Sequence, residues 1–406
     1  MTRSRTHREP VVASPGTARR RTGGAWSAKE PEQRRRGGWR LVGAILALLV
    51  VAGGISALSL SGSSAHHAGK AAASPTELAR RDARAFLARY VDANGRVVRR
   101  DQGGDTVSEG EGYALLLADA LGDKSEFARV WRWDEANLQL PDGLFAYHWE
   151  KGRIASSTPA TDADLDTAWA LVLAGSRFSS STYTAEGRRV ATSILTNETV
   201  SPAGKLELVA GTWARGDPAT VDPSYLAPEA MAALAKATGT ARWRELEANS
   251  TSLVAAVVGA SPERLPPDWA LLSATGAISP AGTSSVKTPT YGLDAQRVPV
   301  WYAADCSGAG RHVAAEEWPA ISALASGGGR ISYTLAGRPR SSDLNPLGYV
   351  AAAAAADAAG HRTKATTLLA RADRQNRSYH TYYGGAWVAL GRVLLDTSWL
   401  SSCAAS

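Results

Sequence analysis

From about residue 75 onward, apolar positions return every three to four residues, the spacing of an α-helix that buries one face. Segments 76–90, 110–122, 125–138, 164–176, 185–197, 227–238, 241–258, 267–275, 316–325, 346–358, 361–374 and 384–395 carry this pattern. Loops rich in Gly, Pro or Ser separate most of them. Strand-like runs are scarce and short. A dozen helices without a βαβ rhythm predict an all-α protein built of helical pairs. The alanine run 351–356 suits an inner helix packed closely against its neighbours. Periodicity alone does not say how the pairs close.

The first 75 residues read differently. Residues 1–40 are rich in Arg, Gly and Pro, without periodic apolar positions, and are expected to be disordered. Residues 41–60 form a run of twenty without a charge. At about 1.5 Å per residue that run spans a bilayer core of about 30 Å. Arg34, Arg35, Arg36 and Arg40 lie on its N-terminal side, so a positive-inside orientation leaves 1–40 cytoplasmic and exports the rest. A long basic tail and a full-length run favour an uncleaved signal-anchor. The alternative is a signal peptide cleaved near Ser56-Ala57-Leu58 or Ser63-Ser64-Ala65. Residues 61–75 read as a flexible tether, and 76–406 as the catalytic domain.

Charge follows this division. The chain carries +7 formally, but eleven Lys/Arg against three Glu put +8 on residues 1–40, which leaves −1 for the remainder. A near-neutral body has no basic stripe for a phosphate backbone, so nucleic acid is not an expected partner. Cys306 and Cys403 fall in the exported part, where a disulfide persists. They read as a bridge closing a loop of about a hundred residues, or as two buried thiols. Neither cysteine nor any of the seven histidines has metal-ligand spacing, and no metal or other cofactor is expected.

Three acidic segments carry the candidate chemistry. The stretch Ser108-Glu109-Gly110-Glu111-Gly112-Tyr113 opens an apolar helix. Tyr113 and Leu115, Leu116 and Leu117 supply surroundings that keep the Glu109 carboxyl protonated, and the two glycines let a sugar chain approach the backbone. Ser108 and Glu111 also have the spacing of a capping box. In Thr161-Asp162-Ala163-Asp164-Leu165-Asp166, Thr161 or Asp162 fits an N-cap, and acids in a first turn suit the macrodipole. Asp162 and Asp166, four apart, share a helical face. The third is Asp294, with Arg297 three residues on. The pair is either a device that keeps a carboxylate charged or an ordinary loop ion pair.

One protonated and one ionised carboxyl group are what single-displacement glycoside hydrolysis requires. Thirteen Trp and twelve Tyr against four Phe add flat faces with polar edges, suited to sugars. Trp131, Trp133, Trp149, Trp169, Tyr225, Trp269, Trp301, Tyr382 and Tyr383 lie near the acidic segments. Three or four aromatics are expected on a cleft, with Trp149, Tyr225 and Tyr383 the selected ones and Tyr113 beside the acid.

Together these segments resemble glycoside hydrolase family 8, inverting β-1,4-glycanases that include cellulases and endoglucanases associated with bacterial cellulose synthesis. Ser108 to Tyr113 match the motif S-E-G-x-G-Y. Ala160 to Ala168 match A-[ST]-D-[AG]-D-x-x-[IM]-A, with Thr167 where Ile or Met is usual. Asp294, Ala295 and Arg297 match Y-D-A-x-R, with Leu293 in place of the tyrosine. Weaker echoes are Asp222-Pro223-Ser224-Tyr225, where the family has N-P-S-Y, and Pro267-Asp268-Trp269.

The resemblance implies an (α/α)6 barrel, with Glu109 as general acid, Asp294 as general base and Asp162 contacting the sugar at the cleavage point. Asp164 and Asp166 become helpers in sugar binding. The implied substrate is a β-1,4-linked polysaccharide, cellulose or a related β-glucan, cut by a monomeric catalytic domain. Tethering suggests the cell membrane as partner and a polysaccharide synthase complex as another. Xylan, mixed-linkage glucan or chitosan would keep the mechanism and change the sugar. The departures at Thr167 and Leu293 leave open a silent glycan-binding scaffold, against which the retained acids argue. A toroidal polysaccharide lyase would need a Tyr, His or Lys base, and none outcompetes the carboxylates.

Overall fold

The computed structural model describes residues 73–283 and 286–401. The basic tail 1–40, the apolar run 41–60, most of the tether and Cys403 lie outside them. Among the described residues, no helix is long and apolar enough to cross a membrane.

Twelve α-helices are found among the described residues: α1 (Pro75–Tyr90), α2 (Ser108–Ala120), α3 (Lys124–Asn137), α4 (Thr161–Arg177), α5 (Ser181–Asn197), α6 (Pro228–Thr238), α7 (Ala241–Gly259), α8 (Val298–Ala303), α9 (Gly308–Ser326), α10 (Leu347–Ala358), α11 (Arg362–Ser378) and α12 (Tyr382–Asp396). The even-numbered helices pack in cyclic order, each on the next, and α12 closes the ring against α2. Outside them, α3, α5, α7, α9 and α11 each cover the inner helix that precedes them, and α1 covers α12. The helical pairs therefore close into an (α/α)6 barrel.

Burial sorts the two rings. Outer helix α1 buries one stripe, Ala79, Ala83, Phe86, Leu87 and Tyr90, and is fixed at its start by a capping box between Ser74 and Glu77. Inner helix α2 buries every residue except Glu109. In α10 the alanine run 351–356 is buried throughout. A helix that is apolar all round has only the interior to occupy. Trp169 of α4, Trp301 of α8 and Trp387 of α12 meet edge to face, with centroids 6.1 and 5.2 Å apart, so two of the tryptophans near the acidic segments are core. Small residues set the approach of neighbouring helices. A Cβ on Gly391 of α12 would lie 2.3 Å from Val350 of α10.

The ends of the barrel differ. The turns 121–123, 178–180, 239–240, 304–307 and 359–361, which leave inner helices, have two to four residues. Most connections that enter inner helices are long: 91–107, 138–160, 198–227, 260–297 and 327–346. These carry short antiparallel strands, including Ala219–Val221 paired with Trp269–Leu272 and that strand with Ile278–Ala281. All the sequence variety needed for a site therefore gathers at one end.

The segment 267–275, expected as a helix, is a strand and turn. The Ala219–Val221 edge supplies backbone partners to an extended chain here, and Gly276 turns the chain at φ +81°. Helix α8 escapes periodicity because six residues hold under two turns, with Pro299 tolerated in the first. Helix α9 starts eight residues before the expected 316, capped by Ser307, with Gly310 fitted against Asp305.

Gly391→Ala is expected to cost about 1–3 kcal/mol through overpacking against Val350. Denaturant unfolding checks this, and an unchanged midpoint would contradict the close approach of α10 and α12.

Candidate active site

Five long loops and the short 379–381 connection frame a cleft of about 1340 Å³, counting its open mouth. Every inward connection contributes, from Arg99 and Asp101 through Tyr147, Trp213, Trp269 and Asp294 to Asp343 and Tyr383. The N-termini of α2, α4, α6 and α8 meet this end, and none has a side-chain cap. Their unsatisfied N–H groups and positive dipole ends favour the carboxylates in the first turns of α2, α4 and α6.

Glu109 lines the cleft at the start of α2. Its Oε2 is enclosed without a hydrogen-bond partner among the protein atoms. Burial, and then the neighbouring charge of Asp162, push its pKa up to about 8. The expected capping box is absent. Val107 is the N-cap, and Glu111 instead accepts from the Val97 N–H at 2.8 Å, beside buried Asp134. Gly110 and Gly112 do not face sugar. A Cβ would lie 2.5 Å from the Tyr382 hydroxyl at the first and 3.1 Å from Asp166 Cβ at the second, so both serve helix packing.

Arg297, only 3% exposed, gathers the other site residues. Its Nη1 donates to Asp162 Oδ2 at 2.7 Å and to the Tyr113 hydroxyl at 3.3 Å. Its Nη2 donates to Ser224 Oγ at 2.5 Å and to Asp294 Oδ1 at 3.4 Å. The guanidinium lies 5.3 Å from the Tyr225 ring centre and 5.9 Å from that of Trp387. The Arg297–Asp294 pair is therefore one part of a four-element network. Asp294 keeps 24% of its side chain exposed to the cleft. Burial raises its pKa above the usual carboxylate value, Arg297 pulls against that rise, and Asp162 adds to it. Tyr383 donates to the Leu293 carbonyl at 3.5 Å.

Asp222 stands where the resembled motif has Asn. Its Oδ1 accepts from Ser224 N–H and Oγ, while Oδ2 lies 3.9 Å from Arg297 Nη2. Burial, followed by the Asp294 charge, raises it well above the usual carboxylate range.

The cluster at α4 divides. Asp162 lines the cleft but caps nothing beyond the adjacent Ala163 N–H, since Ala160 is the N-cap. Asp164, two positions on, turns away: its Oδ1 accepts from Phe145 N–H at 2.7 Å, and burial followed by the Glu198 charge raises its pKa well above the usual carboxylate range. Asp166 is buried one turn deeper, against Gly112, and lines no part of the cleft. Neither Asp164 nor Asp166 is therefore placed to bind sugar, because a 3.6-residue period rotates i+2 away and carries i+4 down the barrel.

Tyr113, Tyr225 and Tyr383 line the cleft as expected. Trp149 does not; it packs on Trp133 at 5.5 Å, beneath the Arg96 guanidinium. Sequence reasoning missed Tyr147, Trp213 and Tyr379, which the loops bring in. Tyr379 is 57% exposed and stands with exposed Leu344 at the lip. Only their placement in connections that enter inner helices could have marked them. Cys306 is disulfide-bonded, away from the cleft.

The profile of glycosyl hydrolases family 8 matches residues 62–394. A probable endoglucanase of Novacetimonas hansenii is 32% identical over 265 residues, 63% of this chain and 74% of its own length. Among solved structures, an endo-β-1,4-glucanase from Acetobacter xylinum superposes with a TM-score of 0.65 at 24% identity, covering 79% of this chain and 98% of that one. A β-1,3-1,4-glucanase from Paenibacillus sp. X4 gives 0.71 at 20% identity, covering 79% and 92%. These structural likenesses establish the fold.

Glu109 and Glu198 both titrate near 8 in the folded chain, against an ordinary 4.5. The folded state then holds protons that the unfolded chain releases, so stability falls as pH rises from about 4.5 through about 8. Calorimetry is expected to give a higher Tm at about pH 5.5 than at about pH 8.5, with a smaller difference in Glu198→Gln. A Tm that rises across this window would contradict the assignment.

Proposed function

Because the chain belongs to glycosyl hydrolase family 8, we propose that it hydrolyses internal β-1,4 bonds of cellulose or a related β-glucan by a single displacement with inversion. The observation that carries the reading is the contrast between two cleft carboxyls. Both are partly open to the cleft, but Glu109 has an unpartnered oxygen and a pKa raised to about 8, whereas Asp294 accepts a hydrogen bond from Arg297, whose charge works against the rise that burial imposes.

In this reading Glu109 donates its proton to the glycosidic oxygen as the C1–O bond breaks. Asp294 takes a proton from the water that attacks C1 on the opposite face. Such pairs stand about 6.5–9.5 Å apart to admit the water. Asp162, fixed by Arg297, faces the same space and opposes ionisation of Glu109 before transfer. Tyr225, Trp269 and Trp213 form an aromatic wall, with centroids 6.3 and 6.0 Å apart, that offers flat faces to successive sugar rings. For residues 41–60, the proposal remains a signal-anchor that places this domain outside the cell membrane, near a polysaccharide synthase.

The test is the full chain in detergent with carboxymethylcellulose, mixed-linkage glucan, xylan, chitosan and cello-oligosaccharides. Proton NMR would follow the first anomer. Cleavage of β-1,4-glucan with α-anomer released first is expected. Glu109→Gln should lower kcat by about 10²–10⁴-fold. Activity should fall as pH rises past about 8, because the acid then loses its proton. Initial β-anomer would overturn inversion, and activity on chitosan alone would replace the substrate.

A further inference from the structure

Asp268 lines no part of the cleft, yet its carboxylate reaches the loop that carries Asp294. Oδ1 accepts from the Gly292 N–H at 2.8 Å and the Ala295 N–H at 2.9 Å, and so brackets Asp294 on both sides. Oδ2 accepts from the Thr290 hydroxyl at 2.6 Å, and the Asp268 N–H donates to the Thr290 carbonyl at 2.8 Å. The loop is shaped to receive this group. A Cβ on residue 292 would lie 2.4 Å from Asp268 Oδ2, so a glycine is required there by space, not by backbone conformation.

The support behind Asp268 is rigid. It immediately precedes the strand Trp269–Leu272, which pairs with Ala219–Val221. That partner strand leads straight into Asp222 and Ser224, the residue that Arg297 holds at 2.5 Å. One short sheet therefore grips the Asp294 loop from one side through Asp268 and its arginine from the other through Ser224. Without Asp268, the Gly292 and Ala295 N–H groups lose their acceptor, and the Asp294 carboxylate keeps the longer 3.4 Å contact to Arg297.

We propose that Asp268 is the positioning residue for the general base: its three accepted hydrogen bonds fix the 290–295 loop so that Asp294 is aimed at the attacking water. The proposal rests on the assignment of Asp294 as the base. Burial and the Asp294 charge push Asp268 up to about 7, against the pull of its three donors, so a neutral amide is a close stand-in.

The experiment compares wild type, Asp268→Ala, Asp268→Asn and Gly292→Ala in the full chain, reading kcat, KM, Tm and hydrogen exchange of the 290–297 amides. Asp268→Ala should lower kcat by about 10–100-fold, the scale of a 1 Å misplacement, with KM within about twofold. Asp268→Asn should recover most of kcat, because Oδ1 still accepts both N–H groups. Gly292→Ala should reproduce the Asp268→Ala loss, and the double variant should be no worse than either alone. Exchange at Gly292 and Ala295 should quicken in Asp268→Ala. Unchanged kcat with lowered Tm, or unchanged exchange in a folded variant, would overturn the proposal. If wild type cleaves no glycan, the functional reading fails, while the exchange comparison still decides whether Asp268 holds the loop.

Discussion

A single buried guanidinium organises this site. Arg297 reaches Asp162 on α4, Tyr113 on α2, Ser224 before α6 and Asp294 at its own helix start, and stacks near Trp387 of α12. A charge enclosed this fully costs several kcal/mol unless partners compensate it. The barrel supplies them from four directions, and the cost of removing any one partner holds the inner helices in a common register. The carboxylates are likewise kept together by the cation they surround. Glu109 lies outside this set of bonds, and its Oε2 has no hydrogen-bond partner among the protein atoms.

The division of the barrel into two ends explains how one fold can be both stiff and chemically specific. Turns of two to four residues leave little freedom at the closed end, where α4 and α5 interlock through Gly175 and Gly187. At the other end, uncapped helix starts present N–H groups to whatever anion approaches. Glu109 and Asp162 occupy such starts, and the loops between them are braced by small sheets instead of by helix contacts. The helix dipole at the start of α2 favours an ionised Glu109, but burial and the Asp162 charge outweigh it and raise the Glu109 pKa.

Residues that look equivalent in sequence are separated by geometry. Asp162, Asp164 and Asp166 are evenly spaced, but only the first reaches the cleft. Asp164 feels the charge of buried Glu198, and Glu111 that of Asp134, so the buried carboxyls form two groups away from the cleft. Both stabilise loops, through Phe145 N–H and Val97 N–H. Their raised pKa values reflect structural burial and carry no catalytic meaning by themselves. What distinguishes Glu109 is access to the cleft.

Local chemistry was legible in the sequence. The apolar period placed most helices to within a few residues, and the resemblance carried by 108–113, 160–168 and 294–297 identified the carboxyls that meet in the cleft. The sequence by itself determined which side chains are acids, which helices are apolar all round, and hence which must lie inside. Tertiary structure decided what no single segment contains: the turning away of Asp164, the burial of Asp166, the recruitment of Tyr147, Trp213 and Tyr379, and the bracing of one loop by Asp268. The physical reason is that periodicity reports how a residue lies on its own helix, whereas a cleft is made where loops from six helical pairs converge. Which side chain faces that space depends on how neighbouring helices and strands exclude it from everywhere else.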